Sequence, residues 1–143
     1  MISNELLSLI FLSRRAYSKA MDEVCARHKI TKMELAVLLF LANNPGHDTA
    51  SELATLRGLA KSHISASVNS LTARGLLAGA HRDGNRKTVH LTPLPSAAAI
   101  IADGQAAQRT LLANVTAGLT DSQRELLRET VRLLVDNLRA SLE

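Results

Sequence analysis

Aromatic residues are nearly missing from this sequence: among 143 residues there is no Trp, one Tyr (Tyr17) and two Phe (Phe11 and Phe40). A base-stacking surface or a cage of rings has little to be built from, so the core must consist of Leu, Ile, Val and Ala. Cys25 is the one cysteine, which excludes an internal disulfide and a zinc site made from a cysteine pair and fits a reducing compartment. Three Pro and seven Gly are too few for a fibrous or low-complexity chain. The longest early apolar run, residues 6–12, is broken by Ser8 and preceded by Glu5. It reads as neither a signal peptide nor a membrane span, so a cytoplasmic location and no membrane partner are expected. The length suits one domain with a real core and rules out most two-domain enzymes.

Charge is unevenly distributed. Residues 1–50 carry six Lys/Arg against five Asp/Glu, and residues 93–143 carry five against six. Residues 51–92 carry six (Arg57, Lys61, Arg74, Arg82, Arg86, Lys87) against two (Glu52, Asp83), which is the entire net charge of +4. A localised basic stretch of this kind points to a polyanion surface.

Apolar residues at helical spacing (Leu6, Leu7, Ile10, Phe11, Tyr17, Met21, Val24, Cys25) predict a first helix over about residues 3–28. Thr31-Lys-Met-Glu34 has capping-box form and opens a second helix, apolar nearly all round and therefore buried, which Asn43-Asn-Pro-Gly46 stops. Thr49-Ala-Ser-Glu52 is another such box, before a short helix closed by Gly58. Residues 61–74 form the next helix, followed by Gly75 at the position that favours glycine. Two short helices across a tight turn are the helix-turn-helix pattern. Behind them, residues 76–81 and 88–92 read as strands around a charged turn, Arg82-Asp-Gly-Asn-Arg-Lys87. Together these elements make a winged helix over residues 30–95. A helix starting at Ser96, weakened by Gly104, follows the prolines. A third box, Thr120-Asp-Ser-Gln123, starts the last helix, whose stripe is Leu126, Leu127, Val131, Leu134, Val135 and Leu138.

The expected fold is mainly α: a winged helix-turn-helix with a two-stranded β-wing and long N- and C-terminal helices, residues 1–28 and 96–143, that dimerise. A winged helix is too small to cover apolar helices at both ends of the chain. A second copy solves that burial problem and places two readers on one duplex.

On the residue 61–74 helix, Ile64, Val68 and Leu71 share a face that seats it in the core. Lys61 opens it, and Ser62, Ser65, Ala66 and Asn69 lie on the opposite face with His63 and Ser70 at its edge. That small, uncharged face permits close approach to base edges, where Asn, Ser and His can hydrogen-bond; the alternative is an ordinary solvated face. Arg82, Arg86 and Lys87 belong to the wing, where a guanidinium fits a narrow minor groove, and Arg57 and Arg74 are weaker candidates for phosphates.

These residues resemble the MarR family of bacterial transcription regulators, most specifically in Lys61-Ser-His-Ile-Ser-Ala-Ser-Val-Asn-Ser-Leu71 with Gly75-Leu-Leu77, and in Asn85-Arg-Lys87 with Val89-His-Leu91. The resemblance covers essentially the whole chain. It implies a homodimer, probing successive major grooves with its recognition helices, and a small-molecule effector that releases DNA. Occupation of promoter DNA makes repression the expected sign. The family's usual Asp-Arg-Arg wing is here Asn85-Arg86-Lys87, which lacks an acid to brace the cations. Ala60 stands where a serine cap often precedes the recognition helix, leaving Ser62 or an irregular start to serve those N–H groups. The family's Leu-Thr pair fits either Leu91-Thr92 or Pro93-Leu94. The few aromatics weigh against a ring-lined effector pocket.

Other classes have weaker support. Cys25 reads as a buried structural thiol or as a redox sensor, with Arg27 and His28 nearby to lower its pKa. The histidines (His28, His47, His63, His81, His90) show no ligand pair at helical spacing, so neither metal nor cofactor is expected. No nucleophile and base stand at catalytic spacing, and no phosphate-loop glycines occur; an enzyme is not expected. A winged helix used as a protein-interaction module is the remaining alternative.

Overall fold

The computed structural model describes residues 2–143, which contain α1 (Ser3–His28), α2 (Lys32–Asn43), α3 (Ala50–Arg57), α4 (Lys61–Ala73), β1 (Leu77–Arg82), β2 (Asn85–Pro93), α5 (Ala98–Val115) and α6 (Asp121–Leu142). A short 3-10 turn, Pro95–Ala97, precedes α5. The fold is a mainly α winged helix with one two-stranded antiparallel sheet. None of the described helices is long and apolar enough to cross a membrane. The chain divides into two compact units between Leu111 and Leu112.

In the first unit, α2 is the central element. Leu35, Val37, Leu38, Leu39, Phe40 and Leu41 are all buried, as a helix apolar on every side requires. Its start is a full capping box: the Thr31 hydroxyl accepts the Glu34 N–H and the Glu34 carboxylate accepts the Thr31 N–H, each at 3.1 Å. At Thr49 only half of the expected box forms. The hydroxyl accepts the Glu52 N–H at 3.2 Å, but the Glu52 carboxylate is drawn to the Thr49 hydroxyl and to His47 instead of the cap N–H.

Of the long stripe expected on α1, only Met21, Val24 and Cys25 are buried, while Leu6, Leu7, Ile10 and Phe11 remain exposed. On α4 the seat is Ile64, Ser67 and Leu71, with Val68 only partly covered; the serine's small side chain lets the helix lie close. The end of α4 is a Schellman arrangement, in which the Leu76 N–H reaches the Leu71 carbonyl (2.9 Å) and the Gly75 N–H the Thr72 carbonyl (3.1 Å). Gly75 sits at φ +71°, where a side chain would be strained.

Gly104 is better explained by packing than by helix weakness. A Cβ there would lie 2.8 Å from a Leu39 methyl and 3.2 Å from the Leu39 Cγ, so the glycine is what lets α5 approach α2. Gly104→Val is expected to destabilise the protein by about 1–3 kcal/mol, although leaving glycine ordinarily favours a helix. Chemical denaturation checks this, and a variant as stable as the parent contradicts the close approach.

The second unit consists of the end of α5 and α6. Thr120 and Gln123 form a complete capping box at 3.2 and 2.9 Å. Arg124 reinforces the turn by donating to the Thr116 hydroxyl and carbonyl at 3.0 and 2.9 Å. No residue of α6 is buried. Leu126, Leu127, Val131, Leu134, Val135 and Leu138 are 36–63% exposed.

Candidate nucleic-acid interface

Along α4, Lys61, Ser62, His63, Ser65, Ala66 and Asn69 are exposed and share the side away from Ile64 and Leu71. The start of α4 departs from both expected solutions: Ala60 provides no side-chain cap and no other side chain replaces one. Ser70 turns out to face inward. Its hydroxyl donates to the Glu34 carboxylate at 3.2 Å, so this serine fastens α4 to α2.

Glu34 itself escaped the sequence reading, because its capping role accounted for it locally. It is 4% exposed and also receives Arg74 at 3.3 Å. Burial pushes its carboxyl up, but the Thr31 N–H and hydroxyl, the Ser70 hydroxyl and the Arg74 charge outweigh that and hold it below the ordinary carboxylate range. Arg74 is thereby committed to the protein, and Arg57 lies over the Phe40 ring at 5.5 Å.

The wing has a shorter turn than expected and an irregular ribbon, whose register shifts between Ala80 and Arg82. Asn85, Arg86 and Lys87 belong to β2, and the turn shrinks to Asp83-Gly84, both with positive φ (+52° and +72°). This is the primed turn whose twist matches a two-stranded ribbon. Gly79 pairs with Leu91 and Leu77 with Pro93; Leu77 and Leu91 are buried and anchor the ribbon. Arg86 and Lys87 lie in the stretch of β2 between Asn85 and His90 where the register with β1 shifts. The Asn85 side chain braces the strand start by accepting the Lys87 N–H at 3.0 Å.

Arg82 differs from its neighbours. Its guanidinium pairs with Asp48, which precedes α3, at 2.9 Å. His90 meets the same carboxylate at 2.7 Å. The His90 hydrogen bond is the largest influence on the Asp48 carboxyl; burial opposes it, and the Arg82 charge adds to it, so the carboxyl is held below its usual range. Among the described residues, Lys61, Arg86 and Lys87 have no carboxylate within ion-pair distance, unlike Arg74 and Arg82.

Cys25 is buried. Burial and then the nearby Asp22 push its thiol up, with Lys32 opposing, which disfavours the thiolate a sensor needs. The two cations expected to help it are engaged elsewhere: Arg27 and His28 meet Asp103 on α5 at 3.0 and 2.6 Å. Among the described residues no three His, Cys, Asp or Glu side chains gather as a metal set.

Two grooves flank α2. One, about 310 Å³, is lined by Tyr17, Met21, Met33 and Leu59 with Arg14 and Lys32; the other, about 420 Å³, has Tyr17 and Phe40 with Arg57. Two of the three rings thus line one groove, against the expectation drawn from their scarcity.

By sequence, residues 28–87 match the MarR family, and nothing among curated proteins matches the chain. The fold is similar to that of a MarR-family transcriptional regulator from Listeria monocytogenes solved with a 26-mer DNA: TM-score 0.80, 14% identity, 95% of this chain and 89% of that one. It is also similar to CouR from Rhodococcus jostii, bound to p-coumaroyl-CoA (0.74, 16%, 94% of each chain). A third likeness is to BpsR from Bordetella bronchiseptica, whose DNA binding is regulated by 6-hydroxynicotinic acid (0.68, 18%, 91% and 98%).

Proposed function

We propose that the chain, whose residues 28–87 match the MarR family, is a winged-helix transcriptional regulator of that family, and that it binds double-stranded DNA sequence-specifically as a homodimer and represses transcription by occupying a pseudo-palindromic operator. The observation that carries this reading is the outer face of α4, small and uncharged over Ser62, Ser65, Ala66 and Asn69, with the unpaired cations Lys61, Arg86 and Lys87 around it. Base edges in a major groove accept close approach by such a face. Lys61, at the uncapped start of α4, suits a phosphate, and Arg86 suits the minor groove. A cytoplasmic location goes with that partner.

The exposed α6 stripe supports dimerisation, since a continuous apolar strip of this length is seldom left in water. Two recognition helices one duplex turn apart then require an inverted repeat. Selection of bound DNA from a random pool is the deciding experiment: an enriched inverted repeat is expected, and sequence-independent recovery contradicts specific readout.

Salt dependence gives a quantitative check. With three free cations from each protomer neutralising phosphates, the slope of log affinity against log salt is about −5. Arg86→Ala, which removes two charges from the dimer, brings it toward zero by roughly 2. A flat slope that Arg86→Ala leaves unchanged favours the protein-interaction reading instead.

For the effector, the likeness to CouR and BpsR, each named with an aromatic acid or its thioester, supports a ring-bearing organic anion. The grooves beside α2 suit it, with Tyr17 for the ring and Arg14 or Arg57 for the charge. Release of DNA would follow from its preference for a conformation in which the two α4 helices no longer match successive grooves.

A further inference from the structure

The geometry points to Asp48 as the residue that aims the wing, a positioning role that rests on the DNA-binding reading above. A two-stranded ribbon is marginal on its own. Here its apolar anchorage ends at Leu77 and Leu91, while β1 is exposed from Gly79 to the turn. Among the described residues, the hydrogen bonds and ion pairs that tie the strands to the body all come from Asp48. One carboxylate oxygen takes His90 of β2 at 2.7 Å and the other takes Arg82 of β1 at 2.9 Å. The Asp48 carbonyl accepts the Leu91 N–H at 2.8 Å. Both strands are therefore fastened to one residue of the α2–α3 connection.

The ribbon's own acid, Asp83, sits in the turn, so the charge that reaches Arg82 comes from outside the wing. Leverage makes the contact matter. From His90 to Arg86 the strand runs about 13 Å, so a tilt of roughly 15° at the clamp shifts Arg86 by about 3 Å, enough to take a guanidinium out of a groove. Asp48 and His90 are only half-buried and Arg82 is exposed. Such pairs add little to global stability, and their effect falls on the angle of the wing. Arg82 accordingly serves as a strut that leaves DNA contact to Arg86 and Lys87.

The test compares Asp48→Ala, Asp48→Asn and Arg82→Ala with the parent, first by amide NMR without DNA. Asp48→Ala is expected to increase fast motion at the Gly84, Asn85 and Arg86 amides, with the α2 and α6 amides unchanged and the melting temperature nearly so. Affinity for a duplex enriched from a random pool is then expected to fall about 10- to 30-fold. Affinity for an unrelated duplex should fall less than 3-fold. Asp48→Asn, which keeps the shape but loses the charge, lies between, and Arg82→Ala follows Asp48→Ala without the double variant being additive.

Unchanged tip motion in Asp48→Ala overturns the proposal, and so does a loss seen with Arg82→Ala alone, which makes Arg82 a DNA contact. If the parent enriches no DNA, the DNA-binding reading fails by itself, and the amide measurement still decides whether Asp48 holds the wing.

Discussion

Leu127→Glu combined with Leu134→Glu is expected to turn the protein into a monomer and to weaken binding to a duplex with two half-sites by about 10²- to 10⁴-fold, while binding to a single half-site survives. The range is the avidity lost when two linked readers become independent. Both residues lie on the α6 stripe and are about 40% exposed, so acid side chains there remain in water in the isolated chain and cost the protomer little. In a dimer they would be buried without partners, which no interface tolerates cheaply. Light scattering gives the assembly state, and titration of the two duplexes gives the split. A protein that stays dimeric locates the interface elsewhere, with the exposed first half of α1 next in line.

The second large effect concerns Glu34. Glu34→Ala is expected to cost about 2–3 kcal/mol, because it removes one buried acceptor from the Thr31 N–H, Ser70 and Arg74 together. Arg74 remains partly exposed and can hydrate, which keeps the loss below that of a fully buried broken pair. Glu34→Gln should cost roughly 1 kcal/mol: glutamine completes a capping box, as Gln123 does at α6, but gives up the charge for Arg74.

The pH dependence has a definite sign. The folded carboxyl lies below its ordinary value, so its stabilisation is complete above the unfolded pKa, about 4.3, and is lost as pH falls through the folded value. The stability gap between the parent and Glu34→Gln is thus constant above about pH 5 and closes in more acid solution. A gap that widens on acidification contradicts the assignment. Asp48, Glu52 and Asp103 are lowered in the same direction by their histidine partners, so the parent itself loses stability over that range.

The elements were legible because their signals are local. Capping boxes at Thr31 and Thr120, glycines after α3 and α4, the apolar periods and the Asp83-Gly84 pair all act within a few residues, and the helix bounds follow from them. What stayed hidden depends on partners distant in sequence. Glu34 and Ser70 are 36 residues apart, and Asp48 and His90 are 42 apart. Neither pair leaves a periodic trace. Arg74 and Arg82 therefore counted as free cations until their acids came into view. Gly104 looked like a defect because the side chain it makes room for, Leu39, lies on another helix. The exposed face of α4 was readable from spacing, apart from Ser70, whose position at the edge gives no sign of which way its hydroxyl turns.

The two-residue turn at Asp83-Gly84 sets how the wing could change over evolution. With no loop to absorb extra residues, its reach is the length of its strands. A one-residue insertion in the regularly paired stretch, residues 77–80 against 90–93, exchanges the two faces of the ribbon there and takes Leu77 or Leu91 out of the core. Growth or shrinkage of that stretch must then come in pairs on both strands, each about 7 Å. That is close to two base-pair steps along a duplex, so the flanking positions such a wing could sample shift in whole units and not by gradual drift.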